Sequence, residues 1–240
     1  VLLLAWELLS RLGFFPPNLL PAPSTVVITL YNLAVSGSLF SHIGVTLYRV
    51  LVGFFLGAIL ATLVGALTGY SRTFRQLLDP LLQALRNVPS LAWVPLFILW
   101  LGIFETSKIA LIAVGVFFPV YLNLMSGIQG VDRKLVEVGR IYRLNSFQLI
   151  RRVFLPATLP SYIVGLRSGL GLGWMFVVAA ELMGASQGLG FLMVDGQTTG
   201  RPAIIIASLI LFAIFGKLTD AILASIGHRL IAWQDSYGSR

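Results

Sequence analysis

The sequence predicts an all-α, polytopic membrane protein, a single domain over residues 1–240 with six transmembrane helices. Three observations predict it. Hydrophobic residues make up 57% of the chain and charged residues 11%, against about 45–50% and about 25% in a soluble domain. Mean hydropathy is +0.90. The Lys and Arg residues behind the net charge of +8 gather in a few connections between apolar runs. That distribution sets orientation in a bilayer and does not form a nucleic-acid-binding surface. With no cysteine there is no disulfide, thiolate metal site or thiol nucleophile.

The first apolar run, Val1–Phe15, is shorter than the ~20 residues a span requires, which implies further residues before Val1. It ends at Gly13–Pro17, where the prolines force an extended crossing, and Glu7 and Arg11 sit i, i+4 and should pair. Ser24 is placed to cap a short helix over Thr25–Ala34 on the outer surface. Span two, Leu39–Tyr70, repeats a small residue every fourth position, at Gly53, Gly57, Ala61, Gly65 and Gly69, which predicts a smooth face for close helix packing within or between subunits. Ser71–Arg75 is a basic turn. Span three, Leu77–Leu101, carries Pro80, Pro89 and Pro95 and should be one kinked helix.

Span four runs from Ser107 to about Ile128, with Pro119 inside it. The longest polar stretch follows, Val131–Pro160, holding six of the seventeen basic residues. Leu135, Val138, Ile141 and Tyr142 fall near helical spacing behind a capping Asp132, so an amphipathic helix of two to three turns is expected there. Leu155-Pro156 and Leu159-Pro160 mark the turn into span five, Ser161–Met183, whose Gly165, Gly169 and Gly173 repeat the small-residue pattern. Ser186–Arg201 reads as a glycine-rich outer loop, Pro202–Leu223 as span six, and His228–Arg240 as an amphipathic tail. Ten Lys and Arg residues fall in the segments on the side of the long loop, and Lys108 and Arg201 in the opposite connections with Arg11 at their edge, so both termini are expected in the cytoplasm.

Charges within the spans are functional candidates by default. Arg49 stands as far along the chain from Tyr70 as Glu181 does from Pro160, roughly six helical turns in each case, so both sit near the outer face and can pair. Arg167 with Asp220 is a second pair, beside Lys217. Arg49 and Arg167 are candidates to line an anion path; the alternative, that Glu181 and Asp220 neutralise them as structural cations, is favoured because unpaired charge is costly in a bilayer. Trp174, Met175 and Phe176 are further path candidates, packing being the commoner role, and His42 reads as interfacial, not as a metal ligand.

Glu137-Val138-Gly139 followed by Leu155-Pro156 resembles the cytoplasmic signature loop of ABC importer permeases. R-N-V-P-S-L-A-W-V-P-L (Arg86–Leu96), W-L-G-I-F-E-T-S-K-I (Trp100–Ile109), V-A-A-E-L (Val178–Leu182), L-P-A-P-S near the start and G-K-L-T-D (Gly216–Asp220) extend the resemblance over nearly the whole chain, to the permeases for nitrate, sulfonate, taurine and bicarbonate, aliphatic sulfonates above all. Two positions depart: Arg143 stands where the family has glycine and Val153 where it has isoleucine, so a long cation occupies an expected tight turn.

The resemblance implies a type I ABC importer permease fold in the bacterial inner membrane. The loop, about 131–156, would dock on a separate cytoplasmic ATPase, with Glu137 as polar anchor, Gly139 for close approach, Leu135, Val138 and Tyr142 as apolar contacts, and Arg143, Leu155 and Pro156 alongside. A basic amphipathic helix resting on anionic headgroups is the alternative reading of this loop. The chain contains no phosphate-cradling G-x-x-x-x-G-K-[ST], so it is expected to bind no cofactor and to leave ATP and magnesium to two partner ATPase subunits. One loop per chain implies a homodimer, served from outside by a substrate-binding protein. The rival is a proton-coupled secondary transporter using Glu181 and Asp220 as carriers; a scaffold with no transport role is a weaker third.

Overall fold

The computed structural model describes residues 2–14, 16, 18–89, 92–182, 184–231 and 233, with the backbone alone for Leu2 and Leu3. Eleven α-helices form among them. Five are α1 (Leu2–Arg11), α2 (Pro23–Val35), α3 (Ser38–Tyr70), α4 (Arg72–Arg86) and α5 (Trp93–Leu101). The others are α6 (Glu105–Gln129), α7 (Arg133–Ile141), α8 (Ser146–Leu149), α9 (Leu155–Leu182), α10 (Leu189–Thr198) and α11 (Pro202–Leu230).

The centre of the fold is α6, and the two glycine stripes explain why. A methyl group at Gly53, Gly57, Gly65 or Gly69 of α3 would press on Ile112, Val116, Leu124 or Ile128 of α6, in that order and at one constant separation along the chain. The constant separation means that α3 and α6 run parallel, in register, with backbones close enough that no side chain fits between them. Gly165, Gly169 and Gly173 of α9 meet Asn123, Val120 and Val116, so α9 runs antiparallel on the other side of α6. Both stripes therefore serve packing within one chain. Ala61, Val116, Val120 and Val177 are fully buried in this slab. On α9, α11 is antiparallel: Gly227 lies against Ile163, and the Trp174 indole donates to Thr219 Oγ1 at 2.9 Å. A second core joins α2, α10 and α11 through Leu33, Leu189, Leu192 and Ile204.

These directions require the chain to return between Tyr70 and Glu105, and it does so in two pieces. The single kinked helix expected over Leu77–Leu101 is a correction: α4 stops at Arg86, Asn87–Pro89 interrupt it, and α5 starts at Trp93, with Ser90 and Leu91 outside the described residues. Pro89 favours extended backbone before it, which ends α4.

The turn expected at Pro156 and Pro160 is the second correction. The helix runs through both prolines: α8 passes into a π-helical turn, Ile150–Phe154, and then into α9, giving a continuous run from Ser146 to Leu182 of 37 residues. The π turn, closed by Leu155 N–H on the Ile150 carbonyl, adds one residue where the Pro156 ring would strike the preceding turn. The outer loop Ser186–Arg201 is a third correction, since α10 occupies most of it. α11 extends past Leu223 to Leu230 and absorbs His228 and Arg229 of the expected tail. Met183, Ala232 and residues 234–240 lie outside the described residues, as do Val1, Phe15 and Pro17.

Ser24 does not cap α2. The helix begins at Pro23, whose missing N–H is no loss there, behind Ala22. Ser24 instead donates from both Oγ (2.8 Å) and its backbone N–H (3.0 Å) to Glu7, which also holds Arg11 at 2.6 Å as expected. Glu7 thereby ties α1 to α2 across the proline-rich link.

Four helical runs are each long and apolar enough to cross a membrane: Ser38–Tyr70, Glu105–Gln129, Ser146–Leu182 and Pro202–Leu230. α4 and α5 carry the chain back between the first two. α1, at ten residues, is shorter than a span.

Candidate functional site

Two sites lie at opposite ends of the slab. At the basic end, Asp132 caps α7 as expected, its Oδ1 accepting from Lys134 N–H at 2.9 Å. The Leu144 N–H closes on the Gly139 carbonyl, and Arg143 takes φ 52°, the left-handed conformation that a glycine would take freely. The tight turn is therefore kept at Arg143 despite the Cβ, at a cost of about 1–2 kcal/mol. Asn145 and Gln148 form a reciprocal capping box that starts α8.

Gly139 has a different role from the one expected. It faces its own chain, buried, and a methyl there would lie 2.6 Å from Leu149 Cδ1. Its smallness lets α7 lie on α8 and the π turn; it is not a gap left for a partner. The surface that α7 does offer is Leu135, Val138, Ile141 and Tyr142, between 48% and 78% exposed. Glu137 is exposed on the same helix and makes no ion pair among the described residues. Leu135, Val138, Tyr142 and Pro156 line one cleft of about 520 Å³ with Trp233 at its edge, while Leu155 stays exposed. The docking candidates thus form a contiguous amphipathic surface fused, through α8 and the π turn, to the full length of α9.

At the other end, Arg49 is 1% exposed and every nitrogen of its guanidinium is engaged. Nη1 reaches Glu181 at 2.8 Å, the expected pair, and the Gln187 carbonyl at 2.6 Å; Nε and Nη2 form a fork on Glu105 at 2.6 and 2.7 Å. Glu181 also accepts from Thr46 Oγ1 (2.8 Å) and Gly190 N–H (2.8 Å). A methyl at Gly188, φ 125°, would fall on the Glu181 carboxylate, so only glycine closes the loop over it. His42 accepts from Gly188 N–H at 3.0 Å and stacks on Phe191, which makes it part of this closure and not simply an interfacial ring. Lys108 reaches Glu105 at 3.3 Å. Two cations and two carboxylates thus form a neutral clamp joining α3, α6, α9 and the turn before α10. Glu105 escapes a reading of the sequence because it stands far along the chain from Arg49, in what reads as a connection; its position one turn before Lys108 is the available signal.

The second expected pair is also formed, by Arg167 and Asp220 at 2.9 Å through both oxygens. It lies at the surface, with side chains 44% and 30% exposed, and Lys217 joins no ion pair among the described residues. Asp220→Asn leaves Arg167 without its partner on a membrane-spanning helix, where an unpaired charge is costly, and is expected to lower stability. Adding Arg167→Met should restore it, as a melting-temperature cycle in detergent would show. Trp174 is buried among α9, α11 and Phe212, and Phe176 fits against Gly115; Met175 is exposed. Glu181 and Asp220, both held by arginine, are poorly placed as proton carriers. Among the described residues no three His, Asp or Glu side chains stand close enough to hold a metal ion.

Long apolar helices in alternating directions, with an exposed amphipathic helix rooted in one of them, define the architecture of a multi-pass membrane protein. The chain belongs to the family described as binding-protein-dependent transport system inner membrane component, whose sequence profile matches residues 50–232. It is 45% identical over 237 residues to the permease protein SsuC of Bacillus subtilis (strain 168), assigned to aliphatic sulfonates transport, covering 99% of this chain and 86% of that one. It is 34% identical over 238 residues to the taurine transport system permease protein TauC of Escherichia coli (strain K12), covering 97% and 86%. Its fold is similar to a chain of the MetNI methionine ABC transporter in an inward-facing crystal structure, with TM-score 0.72 and 18% identity, over 82% of this chain and 98% of that one. The type I importer permease fold and the ABC transporter context are thereby established.

Proposed function

We propose that the chain is the permease of an importer for a small organic anion, aliphatic sulfonate before taurine, nitrate or bicarbonate. It works as a homodimer with two cytoplasmic ATPase subunits, which bind ATP and magnesium, and a substrate-binding protein on the opposite side. Each chain crosses the bilayer six times with both termini in the cytoplasm, so the basic end faces the ATPases. One observation carries the coupling mechanism: α7 exposes Leu135, Val138 and Glu137 beside the basic Arg133, Lys134 and Arg140, while its opposite side, through Gly139 and Leu149, is locked to the start of the 37-residue run. An ATPase that moves α7 moves α9 with it. The SsuC likeness supports the sulfonate reading, and a basic end on the cytoplasmic side fits the distribution of Lys and Arg.

Co-purification with the partner ATPase tests the docking. Glu137→Lys reverses an exposed charge and leaves the fold intact, and it should reduce ATPase retention by at least about tenfold, a loss of about 1.4 kcal/mol. Retention unchanged in Glu137→Lys and Tyr142→Ala alike would place the docking surface elsewhere. Uptake of labelled alkanesulfonate by the reconstituted complex, competed with taurine, nitrate and bicarbonate, ranks the substrates.

A further inference from the structure

Halfway along the slab, where α4 breaks off, a cleft of about 280 Å³ opens between α6 and α9. Phe118 on its wall lies near the middle of α6, so the cleft sits about half-way through the span, at ~1.5 Å per residue from either end. The other walls include Leu172, Met175 and Phe176 of α9 and Trp93 of α5. Its single charged lining residue is Arg86, the last residue of α4. Among the described residues no carboxylate lines the cleft and Arg86 has no ion-pair partner, whereas Arg49 and Arg167 are both neutralised. A cation at that depth calls for a counter-charge or access to water. Here the chain supplies an open cleft and leaves out the counter-charge.

We propose that this cleft is the anion subsite of the translocation path: Arg86 receives the sulfonate oxygens, and Phe118, Met175 and Phe176 hold the alkyl chain. The assignment rests on the importer reading above and sharpens its substrate. An apolar pocket with one cation suits an anion that carries a hydrocarbon tail. Nitrate and bicarbonate have no tail to fill it, and taurine would bring an ammonium group to a wall with no carboxylate. Arg86 meets the anion with one charge only, in an open cleft, which permits release as well as capture.

The test uses the complete transporter, with ATPase and binding protein, reconstituted in liposomes and supplied with labelled ethanesulfonate or hexanesulfonate. Arg86→Gln should lower uptake of both by at least about tenfold while binding-protein-stimulated ATP hydrolysis continues, and Arg86→Lys should retain more uptake than Arg86→Gln. Met175→Trp, which narrows the cleft at an exposed side chain, should lower hexanesulfonate uptake at least about fivefold relative to ethanesulfonate. Native uptake in Arg86→Gln overturns the subsite, and so does an unchanged chain-length profile in Met175→Trp, which decides the matter if Arg86→Gln does not assemble. Failure of the native complex to take up either sulfonate would instead remove the importer reading's substrate, before any variant is compared.

Discussion

Glu181→Ala is expected to destabilise the protein by about 3–5 kcal/mol, because removing one carboxylate from the buried cluster leaves Arg49 and Lys108 to share Glu105 alone. The argument is local. Arg49 would keep Glu105 and the Gln187 carbonyl, but its Nη1 would face a cavity, and Thr46 Oγ1 and Gly190 N–H would lose their shared acceptor. The Gly188 turn, folded over the carboxylate, would lose what it covers. For a chain of this size the loss corresponds to a melting temperature lower by about 10 °C in detergent. Glu181→Gln, which keeps the shape and one acceptor oxygen, should fall between. A drop of less than about 2 °C for Glu181→Ala would mean that Glu105 alone satisfies Arg49.

The second large effect is steric. Gly57→Leu should cost about 3 kcal/mol or more, at or above the upper end of ordinary overpacking, because the obstacle is backbone and cannot rotate away. A Cβ at Gly57 runs into the Ala113 carbonyl and Val116 Cβ, so α3 and α6 must separate and loosen the contacts at Gly53 and Gly65 as well. Gly44 is the internal comparison: it lies on the same helix, and a methyl added there would meet nothing within 4 Å. Gly44→Ala should stabilise by about 0.5–1 kcal/mol through the unfolded chain and the helix propensity. Thermal melts of the two variants in one detergent should therefore move in opposite directions. Equal shifts would show that the glycine stripe is not a packing seam.

What could be read from the sequence followed from periodicity and depth. A small residue every fourth position required a close helix neighbour, and equal distances from two span ends brought Arg49 to Glu181. The identity of the neighbour was not legible, because the surface of α6 that receives both stripes is built mostly from ordinary Ile, Val and Leu, with Asn123 at one end. Local rules misled where tertiary packing overruled them. Pro156 and Pro160 signal a turn, yet a π turn and a long packed face carry the helix through. Ser24 is a good capping residue that is drawn instead to Glu7. Gly139 was legible as a place needing a small side chain, but not which side of α7 needed it, since Leu149 lies beyond the next turn of the chain. Arg86 was legible only as part of a motif. Its significance depends on which carboxylates are absent around it in space.

The clamp of Arg49, Lys108, Glu105 and Glu181 carries two positive and two negative charges. Moving one elementary charge through a membrane potential involves about 2.3 kcal/mol per 100 mV. A group whose charges cancel can be carried along with its helices, whichever way they tilt, with almost no electrical work. The chain can therefore keep this balanced cluster of ion pairs near one face of an energised membrane without the voltage across it favouring one position of α3, α6 and α9 over another.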